Sequence, residues 1–162
     1  MFFRLQSLYL FIAALCIAAN FGLLPFWNFT VPVPNRAAEQ LSLYGFQRFG
    51  MNAQGSASAL FILFNALAVI AAALCLIGIF LYTNRRLQQQ VIGAATMVSI
   101  LTVLCAVAAA LSLRGRVAGP ETAVAQMPGA GLFFILVAVL LQWLARRGVK
   151  GDDKIANAYK RL

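Results

Sequence analysis

Histidine is missing from this chain altogether, and aspartate and glutamate together number only 4 in 162 residues. Without an imidazole there is no ligand set for haem of the usual membrane type and no histidine-bound metal site. The acids Glu39, Glu121, Asp152 and Asp153 all lie outside the long apolar runs. No carboxylate is therefore placed in lipid, where proton-coupled transporters generally use one. Cysteine is sparse too. Cys16, Cys75 and Cys105 fall inside apolar runs with no Cys-x-x-Cys, which excludes thiol–disulfide oxidoreductase chemistry and any readable disulfide framework. At about 1.5 Å per residue they lie at separate depths, so they read as buried and inert rather than as a shared metal site or a dithiol pair. There is also no repeat of about 20 to 50 residues and no low-complexity tract beyond alanine-rich spans.

What fills the chain is hydrocarbon. Hydrophobic residues make up 62% and charged residues 10%, too little polar surface to close a soluble domain. The residues from Ser58 to Tyr82 carry no charge, and about 25 residues at 1.5 Å rise cover about 37 Å, more than the roughly 30 Å of a bilayer core. A second charge-free run, Val91 to Leu113, follows a short polar turn, so the two form a transmembrane hairpin. Two further runs flank them, giving spans over 5–24, 58–82, 91–113 and 129–145, outer loops 25–57 and 114–128, a turn at 83–90 and a tail at 146–162. The first run competes with a secretory signal peptide. Its length of about 20 residues and the Leu15 before Cys16, where a lipoprotein cleavage box wants a small residue, favour a span. The expectation is an all-α integral membrane protein, an antiparallel bundle of four transmembrane helices.

A net charge of +9 would suggest nucleic acid in a soluble protein, but here the cations cluster at the ends of apolar runs. Four spans place Arg4, Arg85, Arg86, Arg146, Arg147, Lys150, Lys154, Lys160 and Arg161 on one side, against Arg36, Arg48, Arg114 and Arg116 on the other. That bias predicts both termini in the cytoplasm, with the lipid bilayer rather than nucleic acid as the partner. A three-span chain would put the basic tail outside, against the bias.

The first outer loop is rich in aromatics. Phe26-Trp27-Asn28-Phe29-Thr30 reads as a headgroup-level anchor, and Asn28-Phe29-Thr30 is also a weak glycosylation match. The stretch Leu43-Tyr44-Gly45-Phe46-Gln47-Arg48-Phe49 partly alternates and reads as a short strand or hairpin over the bundle, with an interfacial helix from Arg36 to Leu43 as the rival. In the tail, Asp152 or Asp153 is placed to cap a short basic helix with Ile155, Tyr159 and Leu162 on one face, resting on anionic lipid or on a protein.

Inside the spans only amides, hydroxyls and thiols remain. Asn20 and Asn65 lie roughly 23 and 26 Å from the cytoplasmic ends of their helices, near one level, which suits an interhelical fastener or a polar seat for a small ligand. Thr96, Ser99 and Thr102 are expected to bond their own backbone or a neighbouring helix, and Gln142 to reach water or headgroups. Small residues at Ala14/Ala18/Gly22, Ala68/Ala72 and Ala106/Ala110 would let helices approach closely.

The opening Met1-Phe2-Phe3-Arg4-Leu5-Gln6-Ser7-Leu8-Tyr9-Leu10, the turn Ile79-Phe80-Leu81-Tyr82-Thr83-Asn84-Arg85-Arg86-Leu87-Gln88 and the ending Leu144-Ala145-Arg146-Arg147-Gly148-Val149-Lys150-Gly151-Asp152-Asp153-Lys154 with Lys160-Arg161-Leu162 resemble the Bacteroidota membrane proteins grouped as domain of unknown function 4293. Members usually carry an acid before the final arginine, where this chain has Lys160. The resemblance implies four spans, an inner membrane and cytoplasmic termini, with no assigned activity. It is strong only in the cytoplasmic segments. The expected function is therefore non-enzymatic, without cofactor or metal: an accessory or scaffolding subunit of a larger membrane complex, contacting a membrane protein partner or further copies of itself. A small oligomeric transporter or channel for a lipid or apolar solute is the alternative. An enzyme would need a site in the outer loop, where Glu39 and Arg36 are the only acid and anchor on offer.

Overall fold

A computed structural model describes residues 5–31, 39–45, 56–117 and 124–159. Helix α1 (Leu5–Ala18) tightens into a 3-10 turn over Ala19–Phe21 and stops at Gly22, whose φ of 154° only glycine adopts readily. The helix thus ends before the apolar run does. Helix α2 (Ser56–Phe80) closes with a 3-10 turn, Leu81–Thr83, and a single residue, Asn84, separates it from helix α3 (Arg85–Val117). The eight-residue turn read from the sequence is therefore mostly helix. Asn84 starts α3: its Oδ1 accepts from Leu87 N at 3.3 Å and its carbonyl from Gln88 N at 2.9 Å.

Helix α4 runs unbroken from Ala130 to Tyr159, 30 residues. No second helix restarts at Asp152 or Asp153. Among the described residues three helical stretches are long and apolar enough to cross a membrane, Ala59–Thr83, Arg85–Arg114 and Ala130–Gly151, with a shorter apolar one at Leu5–Phe21. Gln6 packs on Gly148, Leu10 on Gly78, and Arg146 on Gly93, so neighbouring helices run antiparallel in a closed ring α1–α2–α3–α4.

The bundle is inverted relative to a soluble one. Its middle layer is built mainly of small residues, Ala13, Ala14, Ala68, Ala71, Ala95, Ala138, Cys75 and Cys16, with Ile17 among them, while Phe11, Leu15, Ile62, Ile70, Met97, Leu104, Phe133, Leu140 and Trp143 face outward on all four helices. Small residues inside and large apolar residues outside suit a lipid environment, where close backbone approach rather than water exclusion holds helices together. Of the small-residue stripes, Ala68, Ala106 and Ala110 are buried, whereas Ala18 is exposed.

One end of the bundle is covered by a three-stranded antiparallel sheet in the order β2-β1-β3, made of β1 (Trp27–Val31), β2 (Glu39–Leu43) and β3 (Ala125–Pro128). Trp27 pairs with Leu43 and Pro128, Phe29 with Leu41 and Gln126. This replaces two expectations. Glu39–Leu43 is a strand and not an interfacial helix, because its partner β1 supplies the ladder. Trp27 and Phe29 are strand residues, and with Phe26 just before β1 they turn onto the bundle and join Leu43, Phe64, Leu113, Leu132 and Ile135 in one core. Phe26 and Phe64 stand 4.6 Å apart, within the range of favourable ring contacts. The hairpin expected over 43–49 begins one element earlier; residues 46–49 lie outside the described residues.

Candidate functional site

Polar side chains recur at three levels along the bundle. At the sheet end, Asn20 and Asn65 border Gly45, which follows β2. Gly45 N donates to Asn20 O at 2.8 Å, and a Cβ on Gly45 would lie 3.0 Å from Asn65 Oδ1. Each amide turns its donor back on its own helix: Asn20 Nδ2 donates to Cys16 O (3.3 Å) and Ile17 O (3.4 Å), Asn65 Nδ2 to Phe61 O (3.0 Å). Asn20 Oδ1 is buried with no hydrogen-bond partner and lies against Gly131. Beside it the start of α4 is threaded through the α1–β1 turn, with Gly129 N donating to Phe26 O (3.0 Å) and Gly131 N to Pro25 O (2.8 Å).

Midway, Gln142 joins three helices. Its Nε2 donates to Ser99 Oγ on α3 at 3.0 Å and to Cys75 Sγ on α2 at 3.1 Å. Its Oε1 has no partner. The sequence suggested that Gln142 reaches water or headgroups; it is instead 0% exposed. Its spacing with Ala138, Ala145 and Val149 is the signal that places it inward. Thr96 and Thr102 donate to the carbonyls of Ile92 and Val98 in their own helix, both at 2.8 Å.

At the opposite end Gln88 is 2% exposed, donates from Nε2 to Gly78 O at 2.9 Å, and leaves Oε1 unpartnered. Leu10, Ile92, Ala145 and Val149 pack around this level. Gln88 belongs to the buried face 88, 92, 95, 99, 102, 106 of α3, a period hidden in the sequence by its polar neighbours. The cations surround this end. Arg146 lies over Gly93 of α3, Arg147 sits 5.7 Å from the Trp143 ring centroid, and Arg86 and Lys150 are exposed. Arg85 is half-buried. Lys154 and Tyr159 fall in the last turns of α4, and Arg4, Lys160 and Arg161 lie outside the described residues. The structure thus gathers the described cations of the predicted cytoplasmic set at one end, and Asn20 and Asn65 at the other.

The family model described as domain of unknown function (DUF4293) matches residues 3–162. The chain belongs to the DUF4293 family. No protein of curated function matches it. In this DUF4293 chain both the sheet end and the basic end fall within the matched residues. Among the described residues no group of three or more histidine, cysteine, aspartate or glutamate side chains is placed to hold a metal ion.

Proposed function

We propose that this protein crosses a bacterial inner membrane four times, with both termini in the cytoplasm, and serves as a non-enzymatic accessory or scaffolding subunit of a larger membrane complex. The observation that supports this reading is the single run of α4. Thirty residues make about 45 Å of helix against roughly 30 Å of hydrocarbon, so about 15 Å stands clear of the lipid. The basic segment is therefore a rigid extension of a membrane helix. Such a post suits holding a neighbour at a fixed height, and the polar groups of the spans are amides, hydroxyls and thiols rather than charged catalysts.

The test is a photo-crosslinker, p-benzoylphenylalanine, in place of Tyr159 in native membranes. Discrete protein adducts that accompany the chain through mild detergent extraction are expected. A chain that crosslinks to no protein and leaves the membrane as a lone monomer would overturn the reading.

One observation favours the second reading, a small oligomeric transporter or channel. The unpartnered oxygens of Asn20, Gln142 and Gln88 form a spaced series of buried acceptors through the bundle. Flux into liposomes that is lost in an Asn20→Leu, Asn65→Leu double variant would decide for it.

A further inference from the structure

Positions 136, 140, 143, 147 and 150 of α4 follow the i, i+4, i+7 spacing of a single helix face. On that face Leu136, Leu140 and Trp143 are exposed at 43%, 62% and 53%, and the next two turns carry Arg147 and Lys150. An acyl-facing stripe passes directly into cations with no intervening polar turn. Arg146 stands beside it in the seam between α3 and α4.

The setting of Arg146 is specific. From the place a Cβ on Gly93 would occupy, its Cζ, Nη2 and Nη1 lie at 3.4, 3.5 and 3.6 Å. Three nearly equal distances mean that the guanidinium turns a face toward α3 at Gly93, at ordinary van der Waals distance from the place of a Cβ. Arg146 as a residue is exposed, and a guanidinium with one face against a helix still carries its N–H edge. That edge is the part of arginine that matches two phosphate oxygens at once. Among the described residues Arg86, Arg146 and Lys150 show no ion pair or hydrogen bond.

We propose that the α3–α4 seam at the basic end is a seat for the phosphate headgroup of an anionic phospholipid, gripped by Arg146 and flanked by Arg147 and Lys150. Trp143, held under Arg147, packs along the upper acyl chain. The continuity with the lipid-facing stripe selects a lipid over an acidic protein as occupant: a headgroup here keeps its chains on Leu140 and Leu136. The inference rests on the bilayer-spanning part of the reading above and not on the accessory role.

The chain has two tryptophans, and Trp27 Nε1 has no hydrogen-bond partner to lose. A Trp27→Phe variant therefore isolates Trp143 as a fluorescent reporter in liposomes. Brominated phosphatidylglycerol is expected to quench Trp143 at lower mole fraction than brominated phosphatidylcholine. Arg146→Gln should weaken the preference about fivefold, the ~1 kcal/mol a cation contributes at a membrane surface. Arg114→Gln, the same charge loss on α3 far from the seam, should leave it intact, and excess inorganic phosphate should not compete. Equal quenching by the two lipids overturns the seat, as does an Arg114→Gln loss matching that of Arg146→Gln. Competition by inorganic phosphate would make this a free-anion site and overturn the lipid assignment. No quenching by either lipid overturns the bilayer reading, and the seat with it.

Discussion

At the scale of single residues, two positions separate packing from polarity. Gly131 opens α4 where Asn20 Oδ1, Leu24 O at 2.9 Å and Pro25 O at 3.0 Å surround the place of its absent Cβ. Two of these are backbone atoms and cannot swing away. Gly131→Ala should cost about 2 to 3 kcal/mol, read as a lower midpoint in denaturant titration in micelles. An unchanged midpoint would mean that the α1–β1 turn does not sit on α4. Gln142 presents the opposite case. Its two donated bonds are worth about 0.6 kcal/mol each in a membrane interior, whereas a buried acceptor without a partner costs about 1 to 3 kcal/mol. Gln142→Met keeps the volume, removes the unpaired oxygen, and leaves Ser99 free to bond its own helix. We expect stability to rise by up to about 1 kcal/mol. A loss of that size would show that Oε1 is hydrogen-bonded to water in the folded protein.

At the scale of elements, what was legible follows from what decides each element. The spans were readable as helices because their charge-free runs are long enough to cross the hydrocarbon, whereas the face of α3 that is buried, Ile92, Ala95, Ser99, Thr102 and Ala106, is set by its neighbours. The length of α4 was not legible. Gly148, Gly151 and Asp152-Asp153 look like stop signals, yet Val149 packs among Leu10, Ile92 and Ala145 and holds the helix together past Gly148. Tertiary burial outweighs local propensity there. Gly151 has nothing within 4 Å of the place of a Cβ, so Gly151→Ala should stabilise by about 0.5 to 1 kcal/mol, measured by the same titration. Destabilisation would mean that the helix breaks at that residue. The sheet was read only as a short strand or hairpin, for another reason. Trp27-Asn28-Phe29-Thr30-Val31 has the composition of an interfacial anchor and of a strand alike, and the second partner that makes it a central strand, Ala125–Pro128, arrives from the other end of the sequence. The buried amides were half-legible. Asn20 and Asn65 stand out in apolar runs, but their meeting at Gly45 depends on where β2 ends.

At the scale of the whole molecule, the two ends differ in kind. The sheet end is closed by aromatic packing under a ladder whose outward positions, Asn28, Thr30, Gln40 and Ser42, are uncharged. The other end carries cations on protruding helix. This asymmetry matches the charge bias of the sequence and supports the proposed orientation, sheet outside and basic end in the cytoplasm. It also separates the two contacts we propose. In that proposal lipid binds where Trp143 and Arg147 would meet the headgroups, and a protein neighbour would be met farther along α4.

That orientation is open to one direct measurement. With Cys16, Cys75 and Cys105 replaced by alanine, a single cysteine is placed at exposed Met127, on β3, or at exposed Lys150, on α4, and intact cells are treated with a membrane-impermeant maleimide after the outer membrane is opened. The account predicts that Met127→Cys is labelled at once, and Lys150→Cys only after the inner membrane is broken. Labelling of both positions from the same side, or of Lys150→Cys alone in intact cells, would contradict it.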